Sequence, residues 1–103
     1  MTEGWIGVDL DGTLAHYESG QFPRIGEPIR LMEDRVRLWL AEGKTIKIFT
    51  ARACEPDQIP RVKAWLRHWG FPDLEVTNAK DYNMVEFWDD RAVAVISNTG
   101  VVR

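Results

Sequence analysis

The sequence predicts an α/β fold, a single domain over residues 1–103 built on a mainly parallel sheet of about five strands. Two observations predict it. Short apolar runs stop on polar residues, as strands buried on both faces of a parallel sheet do, and the segments between the first three runs carry apolar residues at helical spacing. Strands that alternate with helices imply right-handed crossovers and therefore parallel neighbours.

Trp5-Ile6-Gly7-Val8 is the first such run and ends at Asp9. Over residues 28–42 the positions Ile29, Leu31, Met32, Val36, Trp39 and Leu40 recur mostly at helical spacing, with Pro28 suited to a first turn and Gly43 to a terminator. Thr45-Ile46-Lys47-Ile48-Phe49 is rich in β-branched and apolar residues and stops at Thr50, a second strand. A second helix starts near Pro56, turns Ile59, Val62, Trp65, Leu66 and Trp69 inward, and ends at Gly70 with Pro72 beyond. Residues 74–76 make a brief third strand and residues 77–83 a loop holding Lys80. Residues 84–88 form a fourth strand that stops at Asp89, and residues 92–96 a fifth whose pairing direction stays open. Asn98-Thr99-Gly100 is a turn signal, so the chain closes with a bend and a short tail.

Composition narrows the function classes. With 45% hydrophobic and 28% charged residues the chain can bury a core without staples, and the formal charge of −3 argues against a globally basic nucleic-acid binder. A single cysteine cannot pair internally, and Met1 to Gly4 lack the basic start and apolar run of a secretory signal, which points to the cytoplasm. No apolar stretch approaches the ~20 residues that cross a bilayer, so no membrane partner is expected.

In open α/β sheets ligands bind beyond the carboxyl ends of the strands, and here those ends carry Asp9, Thr50 and the pair Asp89-Asp90. Lys80 could join them from the loop after the third strand. Carboxylates gathered in a small cleft repel one another unless a cation lies between them, and an all-oxygen set suits magnesium. A hard metal beside a hydroxyl and an ammonium makes a receptacle for a phosphoryl group.

Asp9-Leu10-Asp11-Gly12-Thr13 resembles the DxDGT signature of haloacid-dehalogenase-superfamily phosphatases. Thr50 after an apolar strand is similar to that superfamily's second motif, Lys80 to its third, and Asp89-Asp90 to its acidic fourth. The resemblance covers the chain from the first strand to Asp90. It implies a Rossmann-like three-layer domain and a magnesium-dependent phosphomonoesterase. Asp9 would be the nucleophile that forms an aspartyl-phosphate, and Asp11 the acid for the leaving oxygen and then the base for water. Thr50 and Lys80 would hold the phosphate, and Arg52, two residues after Thr50, is placed to bind it as well. Asp9, the backbone carbonyl of Asp11 and Asp89 would bind the metal, with Asp90 either a direct ligand in place of Asp89 or a partner of metal-bound water or Lys80.

The superfamily's accessory caps are inserted between motifs one and two or motifs two and three. This sequence has room for neither, so the resemblance implies a capless enzyme. An open site suits a phosphate at the end of a large molecule. The triplet Thr50-Ala51-Arg52 and the run Asp89-Asp90-Arg91 also resemble the phosphatase domain of polynucleotide kinase-phosphatases. The implied substrate is a phosphorylated small molecule or a phosphate-terminated oligonucleotide. In that family a helix follows the acidic pair, whereas residues 92–96 here read as a strand.

Two other functions compete. A receiver-like module also gathers a phosphorylated aspartate, an acidic pair, a threonine and a lysine, but its acidic pair precedes its nucleophile, the reverse of the order here. A catalytically silent phosphate-binding module is the other. Among the remaining residues, His16, Tyr17 and Phe22 follow the signature where they could touch substrate or be solvated. Arg52 could equally form a surface ion pair, and Arg91 reads as structural. Cys54 reads as inert, and Arg30, Arg35 and Arg37, interleaved with Glu33 and Asp34, as a solvated helix face.

Overall fold

A computed structural model describes residues 4–103, so Met1 to Glu3, the first residues of the segment read for a signal, lie outside the described residues. Among the described residues four strands form one all-parallel sheet: β1 (Trp5–Val8), β2 (Thr45–Phe49), β3 (Glu75–Thr77) and β4 (Met84–Trp88), in the order β3-β2-β1-β4. Helices α1 (Arg30–Ala41) and α2 (Gln58–His68) make the β1–β2 and β2–β3 crossovers.

Alternation along each strand sorts side chains between two faces. Ile6, Val8, Ile46 and Ile48 point to one face and form a single core with Met32 and Val36 of α1 and Val62, Trp65 and Leu66 of α2. Trp39 meets Trp88 there at 5.1 Å between ring centroids. The opposite face carries Trp5, Lys47, Phe49 and Phe87. Lys47 lies 4.4 Å from the Trp5 ring centroid and 3.5 Å from Glu75, and Phe49 packs on Phe87. Both helices therefore lie on one face, and the expected three-layer sandwich has two layers over the described residues. Val85 and Phe87 are exposed in consequence.

Both helices end in the same way. Gly43 and Gly70 adopt φ of 82° and 80°, a left-handed conformation that side chains disfavour, and the following amides of Lys44 and Phe71 donate back to the carbonyls of Trp39 and Leu66. The starts differ from the sequence reading. α1 begins at Arg30, because the amide of Ile29 donates to Leu14 O and holds the preceding residues in the loop; Leu31, expected inside, is exposed. Residues 51–54 wind into a 3₁₀ turn before α2, which starts at Gln58 rather than near Pro56.

The fifth strand is absent among the described residues. Residues 92–96 have strand-like composition, but a strand exists through its partners, and only the isolated antiparallel bridge Val95↔Val102 forms there. The expected terminal bend is present: Ile96 N–H donates to Val101 O across it, with Asn98 and Gly100 at positive φ. Residues 92–103 are exposed throughout.

Candidate active site

Successive crossovers carry the chain from β1 to β2 to β3, and it then returns past β1 to place β4 on the other side. The sheet order thus reverses at β1, and a crevice opens beyond the carboxyl ends of β1 and β4. A cleft of about 770 Å³ lies there, lined by Asp9 and Asp11 after β1, Thr50 and Arg52 after β2, and Asp89 and Asp90 after β4.

β1 delivers Asp9 through parallel pairing on both sides, and the Asp9 amide donates to Trp88 O at 2.9 Å, which fixes it beside Asp89. The chain then turns sharply: Thr13, Leu14 and Ala15 N–H all donate to Leu10 O. Gly12 sits in this turn at φ 87°, and a β-carbon there would stand 2.6 Å from Asp90 Oδ2. The left-handed φ favours glycine, and a β-carbon would force the Asp90 carboxylate to shift. Thr13 donates its hydroxyl to Asp90 Oδ1 at 3.4 Å, while Asp89 Oδ2 accepts the amides of Arg91 and Ala92.

One carboxylate oxygen from each of Asp9, Asp89 and Asp90 lies within 4.8 Å of the others. Such crowding is costly. Partial burial, first, then a hydrogen bond with Asp89 and the charges of Asp89 and Asp90 push the Asp9 carboxyl from 3.8 up to about 8. An oxygen-only donor set of this kind fits a hard divalent cation, which would remove the repulsion. Asp11 is not part of this triad; its carboxylate turns toward Arg52.

Thr50 is buried, and its hydroxyl oxygen accepts the Arg52 amide at 3.1 Å, so its own O–H remains free to donate into the cleft. Arg52 stands apart from its expected role. Its Nε donates to Asp11 Oδ2 (2.7 Å) and Nη2 to Asp11 Oδ1 (3.0 Å) and Arg24 O (3.4 Å), while Nη1 donates to Pro23 O (2.7 Å) and Gln58 Oε1 (2.9 Å). Every N–H of the guanidinium is spent inside the protein, which leaves none for a substrate phosphate. Nor is this the surface ion pair weighed against it, since Arg52 is 4% exposed.

Lys80 is not brought into the cleft. It is exposed in the β3–β4 loop and borders a separate hollow with Tyr82, Met84 and Val85; Asn78 of the same loop lines the cleft instead. Tyr17, Phe22, Phe49 and Phe87 add aromatic walls, whereas His16 does not line it. The sequence reading missed Asn78 and Gln58. Gln58 carried a signal, because it stands four residues before Val62 and seven before Trp65, on the apolar stripe of α2, where a buried amide needs a polar partner.

Compared with known proteins, the chain matches no family model and no curated protein. It is similar to the solved structure of a conserved protein from Bacteroides thetaiotaomicron, with a TM-score of 0.68 and 26% identity, over 85% of this chain and 76% of that one. No helix among the described residues is long and apolar enough to cross a membrane.

Proposed function

We propose that this chain is a magnesium-dependent phosphohydrolase that passes a phosphoryl group to Asp9 and then to water. The observation that carries the reading is the meeting of Asp9, Asp11, Thr50, Asp89 and Asp90 in one cleft at the carboxyl ends of three parallel strands. The resemblance of residues 9–13 to the DxDGT signature gives that meeting its chemistry.

Asp9 attacks phosphorus, the P–O ester bond breaks, and an aspartyl-phosphate forms. Asp11 gives a proton to the departing oxygen. It then takes one from water, which attacks the aspartyl-phosphate, releases inorganic phosphate and restores Asp9. Thr50 donates its hydroxyl to a phosphoryl oxygen, and Asn78 is placed to do the same. Asp9 and Asp89, with Asp90 and the Asp11 carbonyl, would hold magnesium, which when bound neutralises charge on the phosphoryl oxygens. Lys80 would reach the phosphate only by turning out of its present hollow.

The open cleft, without a cap among the described residues, suits a phosphate at the end of a large molecule, and an oligonucleotide terminus is the substrate class we favour over small sugar phosphates. The lone, unpaired Cys54 fits a cytoplasmic setting. Release of phosphate from an aryl phosphate with magnesium, abolished by a chelator, tests the reaction. A panel of sugar phosphates, nucleotides and phosphate-terminated oligonucleotides tests the substrate. No release from any of them, with phosphate binding retained, would leave a silent binding module.

A further inference from the structure

We propose that Arg52 is a positioning residue that fixes the Asp11 carboxylate and couples it to the loop carrying Tyr17 and Phe22; the catalytic side of this proposal rests on the phosphohydrolase reading. The guanidinium meets Asp11 as a two-pronged pair, one N–H on each carboxylate oxygen, a geometry that fixes the plane of the carboxylate as well as its distance. Each Asp11 oxygen keeps a further lone pair, where the proton given to the leaving oxygen and later taken from water can sit.

The same guanidinium reaches the loop. It donates to the carbonyls of Pro23 and Arg24, and the Phe22 ring centroid lies 4.8 Å from its central carbon. Tyr17 and Phe22 of this loop line the cleft. Gln58, from the first turn of α2, takes the remaining N–H. One buried cation therefore ties together the turn after β1, the aromatic loop and α2. If Arg52 is disturbed, Asp11 loses its orientation and the loop its anchor at once. A phosphate-binding arginine would instead keep a free fork aimed into the cleft, and this one has none.

The test compares Arg52→Lys, Asp11→Asn and the double variant, each first shown to melt cooperatively. Hydrogen exchange of the amides in residues 16–28 reads the coupling without turnover. Losing charge-assisted hydrogen bonds should speed exchange there by about tenfold or more in both single variants. In steady state with magnesium and an aryl phosphate, Arg52→Lys should lower kcat by about 10²-fold, the scale of acid–base assistance, with KM unchanged. In the Asp11→Asn background it should cost nothing further.

A raised KM with kcat intact, or a full independent loss on top of Asp11→Asn, would overturn the proposal in favour of phosphate binding. If Arg52→Lys does not fold, Gln58→Ala, which loosens the fork while leaving its Asp11 pair, carries the comparison with a smaller loss of kcat and the same expected non-additivity. Absence of wild-type turnover defeats the phosphohydrolase reading and the catalytic role with it. Unmoved loop exchange in both single variants defeats the coupling whatever the turnover.

Discussion

Adding magnesium to the metal-free protein should expel a proton from Asp9. The Asp9 carboxyl titrates at about 8 in the crowded triad, against an ordinary 3.8. A group with that value is about 90% protonated at pH 7, half at pH 8 and about 10% at pH 9. A cation takes the deprotonated carboxylate, so binding should release about 0.9 proton at pH 7 and about 0.1 at pH 9. Below pH 8 the apparent affinity should fall about tenfold for each unit of pH. Isothermal titration calorimetry in buffers of different ionisation enthalpy reads the proton count as a slope. Stability of the metal-free protein follows from the same group. Its folded value is raised, so its contribution is full below about pH 4 and is lost as pH rises through about 8. Saturating magnesium should reverse that loss. Zero release at pH 7, or the same release from Asp9→Asn, would refute the reasoning.

Gly12→Ala should cost about 1–2 kcal/mol in urea unfolding, because φ 87° is disfavoured for any residue with a β-carbon. The new methyl would also push Asp90 aside and should weaken magnesium binding about tenfold by calorimetry. Calcium should bind and inhibit, because its larger and looser coordination misplaces Asp9 relative to phosphorus; full phosphate release in calcium after exhaustive removal of magnesium would contradict this.

Local physics made much of the fold legible. β1, β2 and β4 stand where the apolar runs place them, and the glycine signals mark both helix ends. β3 falls one residue later than expected, because its register is set by pairing of Lys47 with Glu75 and not by the apolar run. Residues 92–96 misled because β-propensity is local whereas strand formation needs a neighbour. The same limit governs the site. Asp9, Thr50 and Asp89-Asp90 could be grouped because a parallel sheet sends all strand ends to one edge. The pairing of Arg52 with Asp11 spans 41 residues and depends on a loop carbonyl and a helix amide, which no short motif encodes. Lys80 was grouped with the site by order along the chain, yet its loop directs it to a neighbouring hollow.

The central claim is covalent transfer to Asp9 followed by hydrolysis assisted by Asp11, and one substitution separates the two steps. In Asp11→Asn an aryl phosphate can still leave unaided, so transfer to Asp9 should persist. Hydrolysis should slow by about 10²- to 10⁴-fold for want of a base. A rapid-quench time course with intact-mass detection, comparing Asp11→Asn and Asp9→Asn on one aryl phosphate with magnesium, reads the adduct directly. The expected result is a phosphorylated protein that accumulates in Asp11→Asn and never forms in Asp9→Asn; no adduct in Asp11→Asn with both steps equally lost, or an adduct that survives in Asp9→Asn, would contradict the mechanism.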